Sequence, residues 1–157
     1  MPAKTTAPLT AGDKAPAFDA LDGSGKRHKL SDYKGKSVVL YFYPKDNTPG
    51  CTIEACEFRD AQPKFKRKDA VVLGVSPDPA KSHEKFSDKF ELNFPLLVDE
   101  DKTICHAYGV WQKKKFMGRE FMGVVRSTFI IDPKGKIAFA EYGVSAKGHA
   151  EAMLGEL

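Results

Sequence analysis

The sequence predicts an α/β fold in which helices cover both faces of a mixed β-sheet. Short apolar runs of strand length alternate with helical stretches, and the last two such runs flank a tight turn before a closing helix. The 157 residues, 41% of them apolar and 29% charged, are enough for one domain with its own core. We therefore expect a flexible tail over residues 1–10 and a single domain over residues 11–157.

The first elements follow from turn and strand composition. Two extended segments at residues 17–19 and 27–30 flank the turn sequence Asp22-Gly23-Ser24-Gly25, which predicts a hairpin. Residues 37–43 are β-branched and aromatic on both faces, which is typical of a central strand covered on both sides. Pro44 ends this strand, and a polar loop follows it.

The middle of the chain alternates helices with buried strands. A helix is predicted over residues 51–68 and a second over residues 79–92, with Pro79 in the first turn of the second. Each is followed by an apolar run of strand length, at residues 70–75 and 95–99. Strands joined through helices in this way are expected to be parallel neighbours.

The last third predicts a change to antiparallel pairing. A short helix over residues 102–108 precedes residues 110–124, which have no clean period and are predicted to be loop with an edge strand. The runs 127–132 and 137–141 form a hairpin, and a helix over residues 146–154 closes the chain. This order of elements is the thioredoxin-like arrangement.

Composition excludes several classes of protein. No apolar run approaches the roughly 20 residues of a membrane span, and the N-terminus lacks the apolar segment of a secretory signal. The net charge of +4 comes from lysines scattered among acids, so the basic clusters at residues 64–68 and 113–115 are interpreted as solvated surface. We expect a cytoplasmic protein with no membrane association and no specific nucleic-acid partner.

The three cysteines are too few, and odd in number, for a disulfide scaffold. Cys51 is the informative one, because it follows a strand and a loop and opens a helix. Unpaired backbone N–H groups at a helix start favour the thiolate form of a cysteine placed there. The alternative is a cysteine that merely packs at a helix start.

Cys56 lies five residues further along the same predicted helix. This spacing separates the two Cα atoms by about 8–9 Å, too far for a disulfide while the helix is intact. One or two turns would have to unwind before the sulfurs met. A thiol pair held apart by folded structure suits a reaction that first needs a free thiolate, although two unrelated cysteines on one helix remain an alternative.

Other cysteine chemistries fit less well. The C-x4-C spacing is not that of structural zinc sites, and His83, Cys105 and His106 form no matching second motif. The C-x-x-C motif of disulfide exchangers is absent, and no histidine stands in a cysteine-protease signature around Cys51. We therefore expect no metal or cofactor, and activation of Cys51 by the helix start and a cation.

The motif Pro44-x-x-x-Thr48-x-x-Cys51 resembles the active-site motif of peroxiredoxins without a departure. Its extension through Thr52, Glu54-Ala-Cys56 and Phe58-Arg-Asp60 is similar to the bacterioferritin-comigratory-protein, or peroxiredoxin Q, subfamily. Further similar segments cover nearly the whole domain: Gly12-Asp13-x-Ala15-Pro16-x-Phe18, Tyr41-Phe42-Tyr43-Pro44, Tyr108-Gly109-Val110-Trp111 and Arg126-Ser127-Thr128-Phe129-Ile130-Ile131-Asp132.

The resemblance implies that the Cys51 thiolate attacks a hydroperoxide and becomes a sulfenic acid. By the same resemblance Thr48 holds the peroxide, Pro44 shields the sulfenic acid, and Arg126 stabilises the thiolate and the departing oxygen. Backbone N–H groups near Gly50 complete the substrate site. The alternatives are that Thr48 only caps a helix and that Arg126 is a surface cation, with Arg119 as the fallback partner of Cys51.

The roles of Glu54 and Cys56 also come from the resemblance. Glu54 orients an arginine, and Cys56 attacks the sulfenic acid to close an intramolecular disulfide that a thioredoxin-type dithiol reduces. Cys105 is interpreted as a packed spectator and Trp111 as a packed aromatic near the site. The segments 116–118 and 121–123 resemble a loop that lines the substrate mouth, and His28, His83, His106 and His149 are interpreted as surface or satisfied residues.

The sequence therefore predicts a monomeric, thioredoxin-dependent thiol peroxidase that reduces hydrogen peroxide and organic hydroperoxides in antioxidant defence. Two other readings stay open at this point. One is a disulfide oxidoreductase without peroxidase activity, and the other is a basic binding or scavenging protein in which the thiols are incidental.

Overall fold

The computed structural model of the chain describes residues 8–157, so most of the tail predicted over residues 1–10 lies outside the described residues. The strands are β1 (Asp19–Leu21), β2 (Arg27–Lys29), β3 (Ser37–Phe42), β4 (Ala70–Ser76), β5 (Leu96–Val98), β6 (Trp111–Phe116), β7 (Arg119–Val124), β8 (Ser127–Ile131) and β9 (Ile137–Tyr142). The helices are α1 (Pro49–Asp60), α2 (Gln62–Arg67), α3 (Ala80–Phe90), α4 (Thr103–Ala107) and α5 (His149–Glu156), and Leu30–Tyr33 form a 3₁₀ turn.

A five-stranded sheet with the order β5-β4-β3-β8-β9 forms the centre of the molecule. β3 pairs in parallel with β4, which pairs in parallel with β5, whereas β8 is antiparallel to both β3 and β9. The predicted mixed sheet, the central position of β3 and the terminal hairpin are all confirmed. β1 and β2 form the small predicted hairpin beside it.

Alternation along β3 divides the core into two layers. Val38, Leu40 and Phe42 point into one cluster, which includes residues of β8 and α4. Val39 and Tyr41 point into the other, which includes residues of α1, α2, α3 and α5. Both layers are buried, so β3 is covered on both faces as its composition predicts.

The helix predicted over residues 51–68 is instead two helices that break at Ala61. Pro63 explains the break, since it has no N–H to donate to the carbonyl of Arg59 and its ring crowds that carbonyl. Pro79 does not lie in the first turn of α3 but precedes it with an extended backbone (ψ 164°). The closing helix begins at His149, three residues later than predicted.

The prediction of a loop with an edge strand over residues 110–124 is wrong. They form neither a loop nor an edge of the main sheet but a separate antiparallel hairpin of β6 and β7. Met117 and Gly118 make its turn with φ angles of 51° and 79°, the left-handed pair that two-residue hairpins favour. The run Lys113-Lys114-Lys115 hides the alternation of β6, because the half-buried middle position is also a lysine. Among residues 8–157, no helix is long and apolar enough to cross a membrane.

Candidate active site

The site is built where the central strand ends and α1 begins. Thr48 is the N-cap residue of α1, and Pro49 lies in the first turn, where its missing N–H costs nothing. Cys51 is the third residue of the helix, is 1% exposed and carries a free thiol. Its sulfur therefore lies at the positive end of the α1 dipole, as the sequence predicts.

The cation beside this sulfur is Arg126, which directly precedes β8 in the chain. Its Nη2 donates to Cys51 Sγ at 3.4 Å, and its Nη1 donates to Glu54 Oε1 at 2.6 Å. A Cβ atom at position 50 would lie 3.0 Å from Nη2, so Gly50 lets the guanidinium approach the helix start. Burial lowers the pKa of Arg126, but the charges of Glu54 and Cys51 outweigh it and the pKa is raised, so the cation persists.

Glu54 lies one turn after Cys51 on the same face of α1 and is fully buried. Burial raises the pKa of Glu54 to about 7, although the charge and the hydrogen bond of Arg126 oppose the rise. Its second oxygen, Oε2, has no hydrogen-bond partner within residues 8–157. Glu54 therefore holds Nη1 of Arg126 and leaves Nη2 to contact the Cys51 sulfur. This is the orienting contact that the resemblance implies for Glu54.

Thr48 and Pro44 border the same loop, and both are half-buried. The Thr48 side chain makes no cap bond to α1; its hydroxyl donates to the Lys45 carbonyl at 2.9 Å. The alternative of an ordinary helix cap is thus not what the structure shows. With its proton used in this way, the Thr48 oxygen keeps lone pairs to accept a hydrogen bond from a ligand beside Cys51.

A buried network under the loop was missed by sequence reasoning. Asp46 accepts from the Tyr43 hydroxyl at 2.6 Å and pairs with His83 Nδ1 at 2.7 Å, and its backbone N–H donates to Asp78 at 2.8 Å. The other ring nitrogen of His83 contacts the Leu97 carbonyl at 2.8 Å. Asp46, Asp78 and His83 are close enough to ligate a metal ion. Asp46 and His83 already bond to each other, and the Asp78 carboxylate accepts from the Asp46 backbone N–H and from the Ser76 hydroxyl. They fix the loop that carries Thr48.

The second cysteine of the motif lies further along the same helix. Cys56 is half-buried and its thiol is free, as is that of Cys51. Glu57, the next residue, accepts the backbone N–H of Gly148 with both carboxylate oxygens, at 2.9 and 3.0 Å. Gly148 is the N-cap of α5, so this contact fastens the middle of α1 to the start of the last helix.

Comparison with known proteins assigns the chain to a family. Residues 11–140 match the AhpC/TSA family. The chain is 51% identical over 143 residues to peroxiredoxin Bcp of Bacillus subtilis, covering 90% of this chain and 91% of that one. It is 42% identical over 147 residues to peroxiredoxin Bcp of Escherichia coli, covering 94% of each. The chain is a peroxiredoxin of the AhpC/TSA family.

Solved structures extend the match to three dimensions. This peroxiredoxin resembles a variant of Xylella fastidiosa peroxiredoxin Q with a TM-score of 0.91 and 38% identity over 96% of each chain. It resembles the Xanthomonas campestris bacterioferritin comigratory protein, studied for alkyl peroxide reduction, with a TM-score of 0.87 and 38% identity over 92% of this chain and 95% of that one. The subfamily and the thioredoxin-like fold are therefore confirmed, and the chain is a thiol peroxidase.

Cys105 of the peroxiredoxin is surrounded differently. It lies fully buried in α4, where its backbone N–H donates to the Asp99 carboxylate at 2.8 Å. Burial raises the pKa of the Cys105 thiol, and the adjacent Asp99 charge raises it further. These surroundings keep the thiol protonated, as expected of a packed spectator.

The β6–β7 hairpin holds the other candidates. Arg119 is exposed next to the turn, whereas Arg126 contacts the sulfur, so the fallback partner is not needed. Trp111 is half-buried near His106, with ring centroids 6.3 Å apart. Met117, Phe121 and Met122 are exposed apolar side chains of the hairpin, and their place at a substrate mouth stays a prediction.

The histidines were interpreted as surface or satisfied residues, and three of them are buried and hydrogen-bonded. His28 contacts Asp22 at 2.7 Å and Tyr33 at 2.6 Å. His83 belongs to the loop network, and His149 contacts the Thr128 hydroxyl at 2.6 Å. Burial lowers the pKa of His149 to about 4, so this ring is neutral beside Arg126.

Proposed function

We propose that this peroxiredoxin reduces hydrogen peroxide and organic hydroperoxides through a sulfenic acid on Cys51. Cys56 resolves that sulfenic acid as an intramolecular disulfide, and a thioredoxin-type dithiol reduces the disulfide. The observation that carries the proposal is the shared guanidinium, since Arg126 donates to Cys51 Sγ at 3.4 Å while Glu54 holds its other arm.

In the first step the thiolate sulfur attacks one oxygen of the hydroperoxide. The O–O bond breaks, the sulfur becomes a sulfenic acid, and the other oxygen leaves as water or an alcohol after taking up a proton. Negative charge moves from the sulfur to the departing oxygen, so a fixed cation that spans both atoms stabilises the transition state. Arg126 is such a cation, and Thr48 accepts a hydrogen bond from the peroxide O–H.

In the second step the Cys56 sulfur attacks the sulfenic sulfur, which forms the disulfide and releases water. Both thiols lie on α1, so the helix must open locally before they meet. Because the pair belongs to one chain, the step needs no second subunit, which supports a monomeric enzyme. The third step is thiol–disulfide exchange with an external dithiol, which restores both thiols.

The test is peroxide consumption coupled to thioredoxin and thioredoxin reductase, with single cysteine-to-serine variants. We expect Cys51→Ser to consume no peroxide above background. Cys56→Ser should form the sulfenic acid once and then stall. Cys105→Ser, the matched control for loss of a thiol, should turn over like the parent protein.

Two results would contradict parts of this proposal. Full turnover by Cys51→Ser would remove the peroxidatic assignment. Disulfide closure that survives Cys56→Ser but stops in Cys105→Ser would assign resolution to Cys105 instead.

A further inference from the structure

A cavity of about 580 Å³ lies at the end of the central sheet where β3 begins. Lys36, the residue before β3, and Ile131, the last residue of β8, both line it. Cys51 follows the other end of β3, so the cavity and the thiol are at opposite ends of the sheet. A volume of several hundred Å³ is typical of pockets that hold small organic ligands.

The lining of this cavity is strongly basic. Five exposed lysines from three segments of the chain contribute to it: Lys14, Lys34, Lys36, Lys134 and Lys136. The one acidic residue in the described lining is Asp132, whose Oδ1 accepts the backbone N–H groups of Lys134 and Lys136 at 2.9 Å each. Within residues 8–157, no ion pair joins any of the five ammonium groups to a carboxylate. A cleft lined by one sign of charge concentrates ions of the opposite sign, so this cavity favours anions.

Backbone hydrogen bonds join the three segments that carry the lysines. The N–H of Ala15 donates to the Gly135 carbonyl at 3.0 Å, which connects the first segment to the third. The N–H of Gly35 donates to the Pro133 carbonyl at 3.1 Å, which connects the second segment to the third. The backbone of the cavity is therefore formed before a ligand binds, and binding does not have to order three separate loops.

Apolar residues complete the lining. Val38 and Ile131 are buried, and Tyr33 adds a half-buried aromatic ring. The Tyr33 hydroxyl lies 2.6 Å from His28 Nδ1, and His28 Nε2 lies 2.7 Å from Asp22 Oδ2. A buried histidine and its carboxylate partner therefore hold the tyrosine ring in place. A fixed aromatic ring beside buried aliphatic side chains suits a flat, largely apolar ring of a ligand.

We propose that this cavity binds a nucleoside polyphosphate, with the phosphates against the lysines and the base beside Tyr33. Lysine binds phosphate as a compact point charge, and several lysines match an anion that carries several charges. The apolar part of the lining matches the base, which inorganic phosphates lack. This site goes beyond the peroxidase reaction and does not rest on the role of Cys51.

The first test is isothermal titration calorimetry of the reduced, full-length chain with ATP. We expect a one-to-one complex with a Kd below about 1 mM. Inorganic triphosphate has no base and should bind at least about fivefold more weakly, because stacking of a base on an aromatic side chain contributes that much. Adenosine has no phosphates and should bind more weakly than either.

Substitutions in the lining locate the bound ATP. Lys36→Gln/Lys134→Gln should weaken ATP binding at least about fivefold, the contribution of one favourable surface ion pair. Lys81→Gln/Lys85→Gln is the matched control, because it removes two exposed lysines of α3 that do not line this cavity, and it should bind ATP like the parent protein. Tyr33→Phe keeps the ring and should bind ATP more tightly than Tyr33→Leu, whereas both should bind inorganic triphosphate equally.

Four outcomes overturn the proposal. A Kd for ATP above about 1 mM would mean that the cavity is not a nucleotide site. Equal weakening by the cavity pair and the control pair would show attraction by the overall charge of the chain. Inorganic triphosphate bound as tightly as ATP would show recognition of phosphate alone. A DNA duplex that binds more tightly than ATP, and that Lys36→Gln/Lys134→Gln releases, would assign the lysines to a nucleic-acid backbone instead.

Discussion

Cys51 and Cys105 are alike in burial and in position within a helix, but they differ in the charged group that faces them. Each is the third residue of a helix, α1 and α4, and they are 1% and 0% exposed. At Cys105 the Asp99 carboxylate accepts hydrogen bonds from the backbone N–H groups of Ile104 and Cys105, at 3.0 and 2.8 Å. It therefore caps the start of α4. At Cys51 no side chain caps the helix, and a guanidinium contacts the sulfur.

With Cys51 as the proposed reactive thiol, the comparison teaches that burial and helix position alone do not decide the reactivity of a thiol. A buried thiol without a counter-charge stays protonated because the low dielectric penalises the anion. The same burial strengthens the attraction of a cation for a thiolate. We therefore propose that the sign of the nearest charge, positive at Cys51 and negative at Cys105, separates the reactive thiol from the inert one.

The largest expected effect comes from removing the cation that touches the sulfur. Arg126→Met should lower the second-order rate constant for oxidation of Cys51 by at least about 100-fold, since single preorganised donors at developing charge contribute that much. Stopped-flow Trp111 fluorescence with hydrogen peroxide measures the rate. Arg119→Met is the matched control, because it removes an exposed arginine, and it should react like the parent protein.

A rate for Arg126→Met within a few-fold of the Arg119→Met control would break the comparison between the two thiols. It would mean that the helix start alone activates Cys51. In that case the different fates of Cys51 and Cys105 would rest on the Asp99 carboxylate and not on a cation.

The next effect is on stability and concerns Glu54. Its pKa is raised by burial from 4.5 to about 7, so the folded chain keeps a proton that the unfolded chain has lost between these values. The contribution of Glu54 to the free energy of unfolding is therefore fully present at low pH and is lost as the pH rises from 4.5 to about 7. Relative to the parent, Glu54→Gln should gain up to about 3 kcal/mol between pH 4.5 and 7.5.

Urea unfolding at several pH values measures this difference, in a Cys51→Ser background that removes the thiol beside Arg126. His149 has the opposite effect, because its pKa is lowered to about 4 and its neutral form is favoured as pH rises. Both proteins contain it, so its contribution cancels in the comparison. If the free energies of unfolding of Glu54→Gln and its parent change with pH in parallel, the raised pKa of Glu54 is wrong.

The smallest effect sharpens a further contrast, since the proposed mechanism requires α1, but not α4, to open during turnover. Glu57 fastens α1 to α5 through the Gly148 N–H, and Glu57→Gln weakens a charged contact of about 0.5–1 kcal/mol. Disulfide closure after oxidation should then become roughly two- to fivefold faster, with the rate of the first oxidation unchanged. Stopped-flow fluorescence separates the two phases.

Glu151→Gln is the control for this change. Glu151 is exposed, and its carboxylate makes a long ion pair with Lys64, with 3.9 Å between Oε2 and Nζ. It removes one carboxylate from α5 and leaves the contact of Glu57 with Gly148 between α1 and α5 unchanged. The rates of oxidation and of disulfide closure should therefore match those of the parent protein. Equal closure rates for Glu57→Gln and Glu151→Gln would show that opening of α1 does not involve the Gly148 contact.

The sequence predicted those features of the site that depend on local order. The strand over 37–43, the loop after it and the helix that carries Cys51 follow from patterns within a dozen residues, although the helix begins at Pro49, two residues earlier than predicted. The contact of Arg126 with Cys51 joins residues 75 positions apart and was reached only through the family resemblance. No local pattern reports such a pairing, because the fold alone brings the two segments together.

The features that were missed are long-range for the same reason. Asp46 and His83 are 37 positions apart, and nothing in their local sequence marks them as partners. Lys114 stands in a run of three lysines, which predicts solvated surface although its middle member is half-buried. The break at Ala61 is the exception, since Pro63 gave a local signal against one continuous helix.

The most direct test of the account is the intact mass of the reduced protein after one equivalent of hydrogen peroxide, with Cys51→Ser in parallel. The account predicts a loss of two hydrogens, a disulfide that maps to Cys51 and Cys56, an unmodified Cys105, and no change in the variant. A disulfide that includes Cys105, or oxidation of the Cys51→Ser variant at the same rate, would contradict it.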